Sequence, residues 1–411
     1  MLGTETQTQA PPAQPAGAQA QAQNGKNPIE LARQRLQQVE SMLNRIVIGH
    51  EDAVKAVMLA LVSREHAVMI GPPGTAKSYL ALSLSRLLQA RFYAYLMTRF
   101  STYDELFGPV DIAALAQHGE LRRKWSAIVA SDIVFLDEIF KASSAILNAL
   151  LSLMQERVVY DPVAGQAIQT KLWTLIAASN EIPSDEELQA LYDRFALRVF
   201  VSYLDDDARL LGALVARWQN GAAAQPVASM EDVRTLHEYA IALLSRGRIK
   251  DLGEVIKLYH VNVVPLIKML RAKGVLISDR SVVEKLPKLY AGYLALYGVT
   301  ADNVVNAVYD LIQFMARTPQ ELSDIRKAID ESLGEVAELS KKLERGKQML
   351  KASNLQAALE AFREVAAYDV SRLTSKPWLR PRVEALVRVA QEYVRRTEEI
   401  IQQIKALQES A

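Results

Sequence analysis

The segment that most constrains this chain is residues 71–78, which read GPPGTAKS. The apolar run 67–70 before it predicts a strand, and residues 79–88 after it have helical periodicity. A strand that turns tightly into a helix directs free backbone N–H groups and the positive end of the helix at a phosphate group. In this pattern Lys77 reaches the terminal phosphates and Ser78 holds Mg²⁺. We therefore expect a nucleoside triphosphate with Mg²⁺ to bind here.

Two residues within this loop carry further information. Lys77 would lie in the first turn of a helix, where a cation opposes the helix dipole, so its presence favours an anionic ligand. Ala76 occupies a position where the general pattern has glycine, and because alanine does not adopt positive φ freely we expect negative φ there. The alternative is a Gly/Pro turn that precedes Lys-Ser by chance. The predicted contacts with the nucleotide are Gly71, Pro72, Pro73, Gly74, Thr75, Ala76, Lys77, Ser78 and Tyr79.

Composition limits the classes of protein that fit. The chain has 411 residues, half of them hydrophobic, which is enough for two or three domains with ordinary cores. It has no cysteine, and its five histidines lack metal-ligand spacing, which disfavours a zinc enzyme. A net charge of +1 gives no global electrostatic reason to expect a dedicated nucleic-acid-binding protein, although the cluster at 122–124 leaves local contact open.

The two ends of the chain differ from its middle. Residues 1–27 are rich in Gln, Ala and Pro, and we expect them to be disordered because they lack large apolar side chains. We see no secretory signal and no apolar run of about 20 residues, so we expect no membrane span and a cytoplasmic protein. Residues 318–411 have helical periodicity with breaks near 353–354 and 374–381, which predicts a three-helix bundle or coiled hairpin. These helices either recruit a partner or stabilise an assembly.

The middle of the chain alternates strand-like and helical segments. Besides 67–70, the strand-like runs are 92–98, 133–136 and 172–178. Such alternation predicts a parallel, doubly wound α/β domain, here residues 28–204. Residues 205–317 are helical in pattern and are predicted to form a separate lid domain.

Polar residues follow two of these strands. Asp137 and Glu138 lie at the carboxyl edge of the predicted sheet, where open α/β sheets bind ligands. Asp137 is positioned to meet Mg²⁺, and Glu138 to activate the water that attacks the γ-phosphate. Asn180 ends another strand and is suited to hold that water or the γ-phosphate. Solvated acids at a strand end and turn chemistry at Asn180 are the alternative explanations.

Two arginines are candidates for contact with the γ-phosphate. Arg194 follows a helix whose predicted capping box is Ser184 with Glu187, and it could act as an arginine finger in a neighbouring subunit. Arg198 is the alternative finger. Arg280 lies in the first turn of a later helix, where it also opposes the dipole and so suits a lid arginine. A helix C-terminal contact for Arg194 and a surface salt bridge for Arg280 remain open.

Taken in order, these residues resemble the motifs of an AAA+ ATPase over residues 29–317. They match Walker A (Lys77, Ser78), Walker B (Asp137, Glu138), sensor 1 (Asn180), the arginine finger (Arg194) and sensor 2 (Arg280). More narrowly, the chain resembles the MoxR family, especially its RavA branch, through TRFST at 98–102, LFGP at 106–109, FLDEIFKA at 135–142 and ILN at 146–148. The family commonly has alanine at position 76.

This resemblance implies an AAA+ P-loop NTPase core, a helical lid and a helical C-terminal appendage. It implies a helix-2 insert between 98 and 133 and a pre-sensor-1 hairpin between 157 and 172, which either engage a client or pack only on neighbouring structure. It adds Val47 and Ile48 to the nucleotide contacts. An arginine finger supplied in trans implies a homo-oligomeric ring, a hexamer as in the family.

The function implied is that of an ATP-hydrolysing ring that remodels or matures protein complexes. Its partners would be a protein with a von Willebrand factor A domain and a client complex. A DNA-translocating motor of the helix-2-insert clade is the first alternative, and the near-neutral charge disfavours nucleic acid without excluding it. A scaffold that binds ATP without hydrolysing it is the second, and Glu138 speaks against it.

Overall fold

A computed structural model describes residues 27–163, 165–219, 225–245, 254–351, 354–375 and 379–409. The predicted disordered tail therefore lies, apart from Asn27, outside the described residues. Asn27 caps the first helix, accepting from the Ile29 N–H at 3.1 Å. The strands are β1 (Ala67–Ile70), β2 (Phe92–Leu96), β3 (Ile133–Asp137), β4 (Val158–Tyr160), β5 (Ala167–Gln169), β6 (Thr174–Ser179) and β7 (Leu197–Phe200).

Five of these strands form one parallel sheet in the order β2-β3-β6-β1-β7. The parallel α/β prediction is confirmed. β1, β3 and β6 are buried along almost their whole length, as expected for a sheet covered by helices on both faces. β7 was not among the predicted strands, because it is only four residues long and has the charged Arg198 in its middle.

Helices cover both faces of the sheet and continue beyond it. The first seven are α1 (Pro28–Ile46), α2 (Glu51–Ser63), α3 (Lys77–Leu87), α4 (Tyr103–Phe107), α5 (Ile112–His118), α6 (Ser144–Gln155) and α7 (Glu186–Tyr192). The helices of the predicted lid, which we call the lid helices, are α8 (Asp207–Gln219), α9 (Met230–Ser245), α10 (Glu254–Asn262), α11 (Val264–Ala272), α12 (Leu286–Tyr297) and α13 (Ala301–Ile312). The C-terminal helices are α14 (Pro319–Lys351), α15 (Leu355–Ala366) and α16 (Arg380–Glu409).

The lid packs directly against the α/β domain. Helix α12 contacts α2 and α9, and α9 in turn contacts α1, so one apolar core runs through both. Polar contacts reinforce this junction, including a hydrogen bond from Trp173 Nε1 to the Leu61 carbonyl at 2.7 Å and an ion pair of Lys55 with Asp310 at 2.8 Å. The lid position is thereby fixed by side chains distributed over the whole chain.

The C-terminal region is helical, as predicted. Helices α14, α15 and α16 pack on one another, with Phe362 stacked on Tyr393 at 4.8 Å between ring centroids. Within the described ranges, no helix combines the length and apolarity needed to cross a bilayer.

The segments predicted to be the two insertions contain short helices and a hairpin. β4 and β5 pair antiparallel as a hairpin, and α4, α5 and a single bridge between Val110 and Arg123 make up the first insertion. Arg123 joins the two, because its buried guanidinium binds Asp161 of the hairpin at 3.1 Å and also contacts Asp104. Tyr103 adds a hydrogen bond to the Tyr160 carbonyl at 2.7 Å.

Candidate active site

The phosphate loop connects β1 to α3 and requires an unusual backbone. Gly71 follows β1 so closely beside Val201 that a Cβ on it would lie 2.0 Å from the Val201 carbonyl oxygen. Gly74 has φ of +81°, in the region that only glycine enters freely. Ala76, at the N-cap of α3, has φ of +59°, so the expectation of negative φ was wrong. The turn into the helix imposes this conformation whatever side chain is present.

Lys77 is held inside the loop. Its Nζ donates to the carbonyl oxygens of Gly71 at 2.7 Å and Pro72 at 2.8 Å, and lies 3.4 Å from Asn180 Oδ1. Burial lowers the pKa of Lys77 from its ordinary value, while Asp137 and Glu138 nearby oppose that shift. A buried cation surrounded by carbonyl oxygens at the start of a helix is prepared to meet a phosphate group.

The acidic pair and the two strand-end partners meet at the carboxyl edge of the sheet. Ser78 Oγ donates to Asp137 Oδ2 at 3.1 Å, and Asn180 Nδ2 donates to Glu138 Oε1. A hydroxyl and a carboxylate oxygen side by side are ligands that suit Mg²⁺, so Ser78 and Asp137 fit the predicted metal position. Lys141 lies 3.5 Å from the other Glu138 oxygen.

Glu138 is also distinguished by its backbone. It has φ of +52° and ψ of +39°, a left-handed conformation that a residue with a side chain adopts at a cost. The conformation turns the chain sharply at the end of β3 and directs the carboxylate to Asn180 rather than along the strand. Strain of this kind is typical of functional sites.

These groups line a cavity of about 520 Å³ above the sheet edge. Its walls are Pro73, Gly74, Thr75, Ala76, Lys77, Ser78, Tyr79, Leu96, Asp137, Glu138, Asn180 and Arg217. Four predicted contacts are not among these walls. Gly71 and Pro72 accept from Lys77 Nζ behind the loop, Val47 is buried in the core, and Ile48 packs near Gly212 of α8.

Arg217 is a cavity residue that the sequence analysis missed. It lies in the last turn of α8, and its guanidinium is 5.8 Å from the centroid of the Tyr79 ring. A cation near a helix C-terminus is common for dipole reasons alone, so nothing in the sequence distinguished it. Only the fold brings the lid helix beside the phosphate loop.

The two predicted γ-phosphate arginines lie together in a different cleft. With its amide oxygen toward the guanidinium groups, Gln155 accepts from Arg194 Nε at 2.7 Å and from Arg280 Nη1 at 3.0 Å. The cleft also includes Glu65 and His66, which immediately precede β1, whereas the phosphate loop immediately follows β1. The arginines therefore face the amino edge of the sheet, opposite to the phosphate loop.

This arginine cleft has a large excess of positive charge. Its charged residues are Arg64, Arg157, Arg194, Arg280, Lys285 and Lys288, against Glu65 and Glu284. Burial, and then the proximity of Arg280, lowers the pKa of Arg194. Burial, followed by Arg198 nearby, lowers the pKa of Lys285 to about 8. Glu65 pairs with Lys288 and Glu284 with Arg280, and the remaining excess of cations favours an anionic ligand.

The cap of α7 differs from the prediction, and the structure also locates Arg198. The helix before Arg194 is capped by Asp185, which accepts from the Glu187 N–H at 2.9 Å, so the Ser184 capping box was wrong; Asp185 lies one residue closer to the first turn. Arg198, the alternative finger, is buried, donates to the Met315 carbonyl at 3.1 Å and stacks on Tyr192, so it is less accessible to a neighbouring subunit than Arg194.

Comparison with known proteins gives one family match and several more distant relatives. Residues 34–239 match the family model of the MoxR domain in the MoxR-vWA-β-propeller ternary systems. An uncharacterised protein of Methanocaldococcus jannaschii, MJ0812, is 32% identical over 60% of this chain and 62% of its own. The chaperone MoxR1 of Mycobacterium tuberculosis is 26% identical over 39% of this chain and 42% of its own.

Two further matches extend over more of the chain. The Holliday junction branch migration subunit RuvB of Thermotoga petrophila is 24% identical over 71% of this chain and 91% of its own. The crystal structure of a candidate ATPase from Cytophaga hutchinsonii superposes with a TM-score of 0.53 at 20% identity, covering 69% of this chain and 87% of its own. That likeness concerns the fold.

The chain spans less than two thirds of the length of the first curated relatives it matches. The family model, in contrast, covers half of this chain and includes the phosphate loop, Asp137, Glu138, Asn180 and Arg194. The chain therefore belongs to the MoxR family of AAA+ ATPases.

Proposed function

We propose that this protein hydrolyses ATP as a homo-oligomer in which each nucleotide site is completed by the neighbouring subunit. The observation that carries the proposal is the separation of the two halves of the site. Lys77, Glu138 and Asn180 lie at one edge of the sheet, while Arg194 and Arg280 share a cleft at the other edge. A second copy whose arginine cleft faces the phosphate loop of the first would complete the site.

The residues have distinct roles in this proposal. Lys77 and the loop N–H groups bind the phosphates, and Ser78 with Asp137 would hold Mg²⁺, which neutralises phosphate charge when bound. Glu138 accepts the proton of the attacking water, and Asn180 orients that carboxylate. Arg194 stabilises the charge that develops on the transferred phosphoryl group of the neighbour. Because Arg280 shares its cleft, it would serve the same neighbouring site and not its own.

We infer that the hydrolysis drives remodelling or maturation of protein complexes. Two findings support this: the matched family is described by its occurrence with von Willebrand factor A proteins, and one relative bears the name of a chaperone. The proposed partners are a von Willebrand factor A domain protein and a client complex. Both would bind a hexameric ring formed by this chain. The RavA-like branch and the cytoplasmic location stay predictions.

Mixing two inactive variants tests the shared site. A Lys77→Ala chain cannot bind phosphate but still has its arginines, and an Arg194→Ala chain has the reverse defect. If the arginine acts on the neighbour, the mixture contains interfaces with one complete site, and phosphate release should recover to about a quarter of the wild-type rate. A mixture as inactive as its two components would contradict the proposal. The same experiment with Arg280→Ala in place of Arg194→Ala tests the second arginine.

The alternative of a DNA-translocating motor is favoured by the RuvB likeness. Glu138→Gln protein with ATP should retain partners longer, because hydrolysis is slowed. Capture of a von Willebrand factor A protein together with an enzyme complex would support remodelling. Capture dominated by nuclease-sensitive nucleoprotein, with ATPase activity that DNA stimulates in a salt-dependent way, would instead support the DNA motor.

A further inference from the structure

Helix α8 has an apolar surface that its own chain leaves uncovered. Leu211, Leu214, Val215 and Trp218 recur at the spacing of one helical face, and all are exposed, Trp218 at 80% and Leu211 at 63%. We call these four residues the α8 stripe. Adjacent apolar residues on one exposed helix face are a mark of an interaction site, unlike single exposed apolar side chains.

The stripe lies beside the nucleotide cavity. Arg217, next to Trp218 in sequence, lines that cavity and approaches Tyr79, while Gly212 faces Ile48 on the opposite flank of the helix. With one flank on the core and another on the cavity, the stripe points outward at the rim. A protein surface that covers the cavity would therefore also contact the stripe.

A complementary apolar groove lies beside the arginine cleft. Val275, Leu276, Ile277 and Met315 form the apolar part of a cavity of about 320 Å³, which we call the lid groove; Leu276 is 64% exposed at its edge. The lining also includes Arg198, Arg271 and Arg317. Ser278 and Ser281 of the same cavity flank Arg280, and Asp193 precedes Arg194. The lid groove is thus continuous with the surface that carries both arginines.

We propose that the α8 stripe of one chain docks in the lid groove of a second copy of this chain. Charge complementarity selects the copy: the arginine cleft has six cations against two anions, whereas in the cavity beside the stripe Asp137 and Glu138 balance Lys77 and Arg217, so that bound phosphates give the loaded cavity a net negative charge. If the cleft meets that cavity, the stripe and the groove fall within the same contact. This inference rests on the shared site of the proposed function.

The contact joins two different surfaces and is therefore head to tail. Such an interface repeats from copy to copy and closes into a ring, or continues as a helix, depending on the rotation between neighbours. It also stabilises the contact by burying apolar surface around the site. Attraction between exposed charges alone would be weakened by salt. Trp218 is the expected anchor, because large aromatic residues dominate interface energies.

Chemical cross-linking tests the contact directly, because the chain has no cysteine. V215C and L276C chains, each also carrying E138Q, are mixed with ATP and treated with a short bis-maleimide; Val215 is an exposed stripe residue whose replacement leaves Trp218 in place. We expect cross-linked dimers in the mixture at least tenfold above either variant alone. The matched control replaces L276C by V389C, an exposed position on α16. Absence of mixed dimers, or equally efficient linking of V215C to itself, would overturn the proposal.

A second variant separates this inference from the proposed function. Leu214→Asp alters only an exposed side chain, so the fold and ATP binding should be unchanged, while assembly measured by sedimentation should weaken at least tenfold. Val389→Asp is the control. Wild-type-like assembly of Leu214→Asp, with rescue in the Lys77→Ala and Arg194→Ala mixture, would reject the stripe but keep the shared site. If the Lys77→Ala and Arg194→Ala mixture showed no rescue even without the Leu214→Asp change, both the stripe contact and the shared site would be rejected.

Discussion

Among single residues, Ala76 shows that the phosphate loop adopts its backbone geometry at a cost in conformational energy. A residue with a Cβ in the left-handed region costs about 1–2 kcal/mol, and Ala76 adopts φ of +59° directly before Lys77. We expect Ala76→Gly to raise the free energy of unfolding by about 1 kcal/mol, measured by urea denaturation without nucleotide. Ala81→Gly, within the same helix, should lower it by about 1 kcal/mol or more. Destabilisation by Ala76→Gly would contradict this account.

Lys285 gives the protein a dependence on pH above neutrality. The folded chain releases the Lys285 proton near pH 8, because the group is buried beside Arg198, whereas the unfolded chain keeps it to about pH 10.5. Between these values the unfolded state binds more protons, so stability should rise with pH, by on the order of 1–3 kcal/mol in total. Urea denaturation of wild type and Lys285→Met from pH 7 to 9.5 checks this, and equal slopes would refute it.

Between elements, the ion pair of Arg123 with Asp161 makes the two insertions one mechanical unit. Both side chains are almost fully buried, so Arg123→Met removes the cation that faces the Asp161 carboxylate and should cost about 3–5 kcal/mol of local stability. Hydrogen exchange of residues 158–163 should accelerate correspondingly. Arg123→Met combined with Asp161→Asn should recover part of that loss, because no buried charge remains.

The neighbouring Lys124 supplies the matched control. Its amino group pairs with Asp111 at 3.6 Å, but the side chain is exposed. Lys124→Met should change stability by less than about 0.5 kcal/mol. If Arg123→Met behaved like Lys124→Met, the two insertions would have to be regarded as independent.

For the whole molecule, the shared site predicts that activity depends on assembly. Phosphate release per chain should rise with protein concentration and reach a plateau once neighbours are in place. Arg194→Ala should lower the plateau by about 10³-fold or more, because the transition-state charge loses its cation, while nucleotide affinity changes little. A rate per chain that is constant over a hundredfold range of concentration, across which sedimentation shows dissociation, would contradict catalysis between subunits.

Local patterns in the sequence were sufficient to predict most strands and helices and the half of the site that contains the phosphate loop. The phosphate loop, the acids after β3 and Asn180 after β6 could be predicted because the carboxyl ends of parallel strands lie at one edge of the sheet. Residues that follow these strands are therefore neighbours, whatever the length of the segments between the strands. The hairpin at 158–169 and the three C-terminal helices followed from periodicity. β7 escaped because a buried arginine interrupts its apolar run.

Tertiary structure decided what periodicity does not encode. The positive φ of Ala76 follows from the closing geometry of the loop, and the burial of Arg198 from the packing of β7 under residues 313–315. The meeting of Arg194 with Arg280, and of Arg217 with Tyr79, depends on where the lid docks, which is set by contacts between residues hundreds of positions apart. Sequence alone determined the chemistry at the sheet edge; the docking of the lid decided which charges face it.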